Sequence, residues 1–270
     1  MIVGMIIAKG HSTRIRRKRL KLFCGKPLMA WTLIQCNNSQ IDETWVSTDD
    51  NEIADITEEY GCNVYWREHP EESYDVTSGA IPGWFLGNFI GKKYPDLEMA
   101  LSLFSNCPLR KPNDIDKCIN LCRKKKTTVV MAVPQYETFI YHRQNGDLMV
   151  PVIMDKQFEY ALMVAGLNCI PAERVRKQWV DTPMPDLGNP KVLQEVLHWD
   201  NPESIKKALV SLDNNPPMQY IQAEHWQTIE IDYQDEFDLA EFYMKKYILN
   251  NGGDVYERYW LERSLRRGPY

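Results

Sequence analysis

The chain has 270 residues, of which 44% are hydrophobic and 26% charged, and its formal net charge is −5. That length supports one large α/β domain, or a domain with an extension, and the composition is that of an ordinary globular protein. An acidic balance argues against a protein built to coat nucleic acid, and no apolar run approaches the ~20 residues of a membrane span.

Residues 2–8 form an apolar run without helical periodicity, which predicts a buried strand rather than a signal peptide. The run stops at Gly10, and a polar loop dense in positive charge follows, through Arg14 and the run Arg16-Arg17-Lys18-Arg19. A strand that opens into such a loop can cradle a polyphosphate: backbone N–H groups and hydroxyls bind the oxygens while Lys and Arg neutralise them. Lys9, Gly10, Ser12, Arg14 and Lys18 are the phosphate-binding candidates. Taken alone, the basic run also reads as a solvated face or a weak nucleic-acid patch. No Walker-type G-x-x-x-x-G-K-[ST] occurs.

Met29 to Ile34 has the apolar content of a buried helix. Glu43 to Thr48 reads as a second strand, Asp49-Asp50 as a cap, Asn51 to Tyr60 as an amphipathic helix stopped by Gly61, and Asn63 to Arg67 as a third strand. This β-α-β-α-β order predicts a parallel sheet with right-handed crossovers. A polar loop at 68–75 leads to a predicted helix from Thr77 to Phe89. Leu97 to Phe104 and Thr127 to Val133 are further strands, flanking a helix from Ile115 to Arg123 capped by Asn113-Asp114. Phe139 to Arg143 and Leu148 to Ile153 alternate around Asn145-Gly146, a hairpin pattern. Beyond it, 183–217 is Pro/Asn-rich around a predicted helix at Pro202 to Leu212, and 219–223 and 228–232 read as short strands. Glu236 to Leu249 is a predicted amphipathic helix, with Asp235 as its cap and a surface tail after it.

The seven cysteines form no C-x-x-C pair and lie in apolar segments, as expected of reduced thiols in a cytoplasmic protein. Cys118 and Cys122 are one helical turn apart but lack further ligands nearby, so they read as small buried hydrophobes. The histidines show no metal-binding spacing, and His11 reads as a loop substitution or a phosphate contact.

Four stretches together resemble the acylneuraminate and octulosonate cytidylyltransferases, which activate acidic sugars as CMP esters. Ser12-Thr13-Arg14, Arg17-Lys18 and Gly25-Lys26-Pro27-Leu28 resemble that family's first motif. The words V-S-T-D-D-x-E-I-A from Val46, Pro108-Leu109-Arg110, and Glu230-Ile231-Asp232 before Asp235-Glu236-Phe237 resemble later ones, the last of which reads D-I-D-T-x-x-D-F in the family. The similarity covers about 2–160 and 219–250.

The resemblance implies an α/β, nucleotide-diphosphosugar-transferase-like fold: a Rossmann-like three-layer mixed sheet with a dimerisation arm. It implies one nucleotidyltransferase domain over 1–250, with the arm at about 136–182, an extra segment at about 183–217 and a tail at 251–270. It implies CTP and a sialic acid-like or octulosonate-like sugar as substrates, and a homodimer, while the net charge and the lack of a long apolar run speak for no nucleic-acid or membrane partner. Lys18 and Arg14 take the catalytic roles on the phosphates. Arg67, Asn106 and Cys107 flank the nucleotide base. Glu230 and Asp232, two apart on a predicted strand, face one side and can share Mg²⁺ or Mn²⁺; alone, they also read as a solvated acidic edge. Phe104, Asn106 and Cys107 stand where the family has Gln, Thr and Ser, Lys9 where it has Arg, and Glu230 where it has Asp. Two alternatives therefore stay open: a degenerate, non-catalytic nucleotide- or sugar-binding member of the same fold, and a nucleotidyltransferase using another base.

Overall fold

The computed structural model describes residues 1–12, 14–67, 85–133, 140–144, 148–153, 162–179 and 218–249. Strand β1 (Ile2–Ile7) lies at the heart of a seven-stranded sheet, paired in parallel with β4 (Glu43–Thr48) on one side and β6 (Met99–Leu103) on the other. Between β1 and β4, a small hairpin, β2 (Leu22–Phe23) and β3 (Lys26–Pro27), turns through Cys24 and Gly25 and leads into helix α1 (Leu28–Asn37). Both turn residues have positive φ, at 47° and 84°, the conformation a two-residue hairpin turn requires. Helix α2 (Asn51–Glu59) connects β4 to the parallel strand β5 (Asn63–Trp66), so the predicted β-α-β-α-β order is present.

On the other side of β6 the sheet becomes mixed. Helix α3 (Asp114–Lys125) leads to β7 (Val129–Val133), but β10 (Leu162–Pro171) inserts between β6 and β7, antiparallel to both. Strand β11 (Gln219–Gln222) adds in parallel to β7. Strands β8 (Ile140–Gln144) and β9 (Leu148–Ile153) pair antiparallel, as the alternation there predicts. Of the 136–182 stretch read as an arm, Leu162–Pro171 is instead a strand of the main sheet, and helix α4 (Ala172–Trp179) follows it.

Strand alternation fills both faces of the sheet. Ile2 and Ile6 pack with Met29 and Leu33 of α1, Ile53 of α2 and Ile119 of α3; Val3 and Met5 pack on the opposite face with Phe85, Ile90 and Val175. Helix α1 is buried from Leu28 to Cys36, because helix α5 (Gln234–Tyr243) covers its outer side. Phe237 of α5 meets Phe23 edge-on, with ring centroids 5.3 Å apart. Burial of a ring of this size contributes about 1.5–3 kcal/mol.

Several local expectations are corrected. Residues 228–232 are not a strand: a 3₁₀ turn, His225–Thr228, precedes an unpaired extended stretch, because the Ile231 N–H bonds to the Asn106 carbonyl at 2.9 Å and not to a sheet neighbour. The predicted 77–89 helix is a π-helical turn at Phe85–Gly91, its earlier part lying outside the described residues. Asn113 has φ 71° and no side-chain cap bond; instead the Lys111 N–H donates to Asp114 at 2.7 Å. At the start of α5, Asp235 lies in the first turn, and Glu236 reaches back to accept from the N–H groups of Asp232 and Tyr233. The predicted helix at 202–212 and the tail from 250 lie outside the described residues.

Candidate active site

Strands β1, β4, β5 and β6 are parallel, and chain order reverses direction across the sheet at β1 and β6. The crevice beyond the carboxyl ends of such strands is where open α/β sheets bind ligands. The loop 9–21 begins there and is fastened from several sides. The Gly10 N–H donates to Asp49 Oδ1 at 2.7 Å. Asp50 does two jobs: its Oδ1 caps α2 by accepting from the Ile53 N–H at 3.1 Å, and its Oδ2 takes Arg17 Nη1 at 2.5 Å. That hydrogen bond raises the already high pKa of Arg17, with Glu52 adding to it at 2.7 Å. Arg19 bridges to the next strand end, donating to the Lys9 carbonyl at 2.9 Å and to Ser105 Oγ at 3.2 Å.

Within the loop, Ile15 is buried against Phe23, Leu28, Trp31, Ile231 and Phe237. This cluster fixes the loop and the Ile231 segment against each other. Ile231 is fully buried, while Glu230 and Asp232 on either side of it are partly exposed. Lys18, whose side chain is only 8% exposed, donates from Nζ to Asp232 Oδ1 at 2.7 Å and to the Ile231 carbonyl at 2.6 Å. Arg14 Nη1 takes the other Asp232 oxygen, Oδ2, at 2.5 Å, and its guanidinium lies over the Tyr233 ring. Glu230 Oε1 accepts from the Asn106 amide at 3.1 Å. The structure thus brings Arg14, Lys18, Asp232, Glu230 and Asn106 into one contiguous set at the ends of β1 and β6.

The remaining base-side candidates are placed apart. Arg67 is buried at the end of β5, donating from Nε to Ser47 Oγ at 2.9 Å and from Nη2 to the Ser47 carbonyl at 3.0 Å. Asn106 and Cys107 follow β6, with β1 and β4 between them and β5. Three strand spacings make that separation about 14 Å. Cys107 is buried, and burial pushes its thiol well above the ordinary range. Lys9 and Ser12 are partly exposed on the loop, and Gly10 is held by Asp49.

Arg17, Arg19, Asp49 and Asp50 were not selected from the sequence as parts of the site, although the V-S-T-D-D word held the signal for the last two. Arg110 was also missed. It is fully buried and donates to the carbonyls of Phe104, at 2.8 Å, and Gly166, and to Gln35 Oε1 at 2.8 Å. Gly166, at φ 132°, sits where the β7–β10 register shifts, and a β-carbon there would meet Cys107. Arg110 therefore shapes the bulge in β10 beneath the site.

The sheet, its reversed strand and the basic loop at the crevice define a nucleotidyltransferase-like α/β fold. The solved structure of a CMP:2-keto-3-deoxy-manno-octonic acid synthetase complexed with CTP shares that fold, with a TM-score of 0.61 and 14% identity over 92% of this chain and 99% of that one. The family profile described as cytidylyltransferase matches residues 3–144, and the chain belongs to that family. N-acylneuraminate cytidylyltransferase B of Danio rerio is 28% identical over 146 residues, covering 53% of this chain and 33% of that protein. CMP-N,N'-diacetyllegionaminic acid synthase of Legionella pneumophila is 29% identical over 141 residues, 49% of this chain and 58% of that one. The chain thus spans only about a third to three-fifths of the length of these relatives.

Proposed function

We propose that the protein transfers CMP from CTP to an acidic 2-keto sugar, with release of pyrophosphate. The observation that carries this reading is the meeting of Arg14, Lys18, Glu230 and Asp232 beside the Gly10 loop, in a chain of the cytidylyltransferase family. A sugar hydroxyl attacks the α-phosphorus and gives up its proton to solvent; the bond from that phosphorus to the α–β bridging oxygen breaks, and the electron pair leaves with pyrophosphate. Positioning and charge neutralisation dominate such displacements. Gly10, Ser12 and Lys9 line the phosphate path, and Arg14 and Lys18 neutralise charge on the leaving group. Asn106 and Cys107 lie toward the base, with Arg67 further along the sheet edge.

The donor set of Glu230 and Asp232 fits a hard divalent ion. Among the described residues no group of three or more His, Cys, Asp or Glu side chains gathers, so water and phosphate oxygens would complete the shell, as Mg²⁺ or Mn²⁺ commonly accepts. Glu230 and Asp232 would hold such an ion, which would supply charge neutralisation for the triphosphate. We further propose a cytoplasmic homodimer, with the β8–β9 hairpin as the dimerisation arm, since an isolated two-stranded ribbon is marginal in water. No helix among the described residues is long and apolar enough to cross a membrane.

A non-catalytic nucleotide- or sugar-binding role is the second reading, favoured by the apolar Phe104 and Cys107 near the base position. Pyrophosphate release measured with each NTP against a panel of 2-keto sugar acids separates the two. Release with CTP and at least one such acid is the expected result; binding without release under every combination would select the second reading.

A further inference from the structure

The two carboxylates of the site are held in different ways. Glu230 is bonded to a neutral amide, that of Asn106. Asp232 carries a cation on each of its oxygens, Lys18 on Oδ1 at 2.7 Å and Arg14 on Oδ2 at 2.5 Å. Both cations are ones the nucleotide reading gives to the triphosphate, and Asp232 is one it gives to the metal. In the structure these groups satisfy one another.

A divalent ion on Asp232 competes with both cations for the same carboxylate, because like charges repel strongly at such distances. With no phosphate present, that competition strands the Lys18 ammonium, which is nearly buried and otherwise has the Ile231 carbonyl beside it. Leaving a buried charge without its counter-charge is costly. A polyphosphate arriving alone meets the converse obstacle: it must draw Lys18 and Arg14 away from Asp232, which is then left with no cation. When both ligands arrive, each supplies the counter-charge the other removes.

We propose that Asp232 is an internal competitor for the phosphate-binding cations, so that Arg14 and Lys18 serve twice and the binding of triphosphate and divalent ion is mutually dependent. This inference rests on the nucleotide reading of the site. Linkage makes the dependence reciprocal: whatever factor the ion adds to triphosphate affinity, triphosphate adds to ion affinity.

Calorimetric titration tests it without reference to turnover, using CTP, inorganic tripolyphosphate and Mg²⁺ as probes. Wild type should show no saturable binding of Mg²⁺ alone at low millimolar concentration, and should bind CTP much more tightly with Mg²⁺ than in EDTA. Asp232→Asn releases both cations, so in EDTA it should bind CTP and tripolyphosphate about tenfold more tightly than wild type does, within the range of coupled sites, and should lose most of the Mg²⁺ enhancement. Arg14→Met opens Oδ2 and should strengthen the binding of Mg²⁺ alone; it carries the test if the Asp232 variant does not fold. Equal or weaker affinity of folded Asp232→Asn in EDTA, or no gain in Mg²⁺ binding by Arg14→Met, overturns the competitor role and leaves the nucleotide reading standing. If wild type with Mg²⁺ binds neither CTP nor tripolyphosphate, the nucleotide reading fails and this inference fails with it.

Discussion

The α-carbon of Gly10 faces the Asp50 side chain with no room for a methyl group: a β-carbon on residue 10 would lie 2.6 Å from the Asp50 β-carbon. Asp50 cannot retreat cheaply, because the same carboxylate caps α2 and holds Arg17. Gly10→Ala should therefore displace Asp50 and loosen the loop at its hinge. Loss of the cap alone costs about 1 kcal/mol. We expect a total of about 2 kcal/mol in urea unfolding, with weaker binding of tripolyphosphate plus Mg²⁺. A variant with wild-type stability and affinity would show that this contact yields without consequence.

Arg110 supplies a second test, of structure rather than ligand contact. Its guanidinium satisfies backbone carbonyls on two segments and the Gln35 amide from inside the core. Arg110→Met keeps much of the volume and removes every donor, so several buried acceptors lose a partner. Unsatisfied buried groups cost about 1–3 kcal/mol each, and because the two carbonyls keep other bonds we expect a total of about 3 kcal/mol. Arg110→Lys restores the charge but not the planar fork, and should recover only part of the loss. Thermal melts of the three proteins decide it; a Met variant within 1 kcal/mol of wild type would contradict the role.

Glu98 and Arg123 give a pH signature. Arg123 donates to Glu98 at 2.6 and 3.1 Å, and this hydrogen bonding holds the Glu98 carboxyl below the usual range. A carboxylate with a depressed folded pKa contributes stability that is fully present above its unfolded pKa, near 4.3, and is lost as pH falls through the folded value. Both side chains are about two-fifths exposed, so the contribution stays below about 1 kcal/mol. The stability difference between wild type and Glu98→Gln should be flat from pH 6 to 8 and shrink below about pH 4. A difference that grew on acidification would reverse the sign of this argument.

The parts of the fold readable from sequence were those governed by local rules. The apolar run of β1, the Asp50 cap of α2 and the β-α-β-α-β order all appear as the residue pattern predicts, because burial and capping act over a few neighbouring positions. Strand β10 was not legible as part of the main sheet, since its partners Leu101 and Val129 are far away in sequence and nothing local marks an antiparallel insertion. The candidate site was legible only as a list of charges, because the pairing of Arg14 and Lys18 with Asp232 spans more than 200 residues. Arg110 stood in a recognised word, yet an arginine held by neutral acceptors in the core has no compositional signal. The 228–232 stretch kept its buried Ile231 between two more exposed acids without being a strand, so alternation alone overstated its regularity.

The reversed direction of β10 has one more effect. Both β6 and β7 run antiparallel to β10, so β7 ends, and β10 begins, at the edge of the sheet where Ser105, Asn106 and Cys107 lie. Whatever the chain does between 134 and 161, it departs and returns at the rim of the crevice. Length or composition can change there without breaking a rung of the main ladder. In evolutionary terms the insertion point is a graft site: what borders the Asn106 and Cys107 end of the crevice can be exchanged while the loop, the carboxylates and the sheet stay intact.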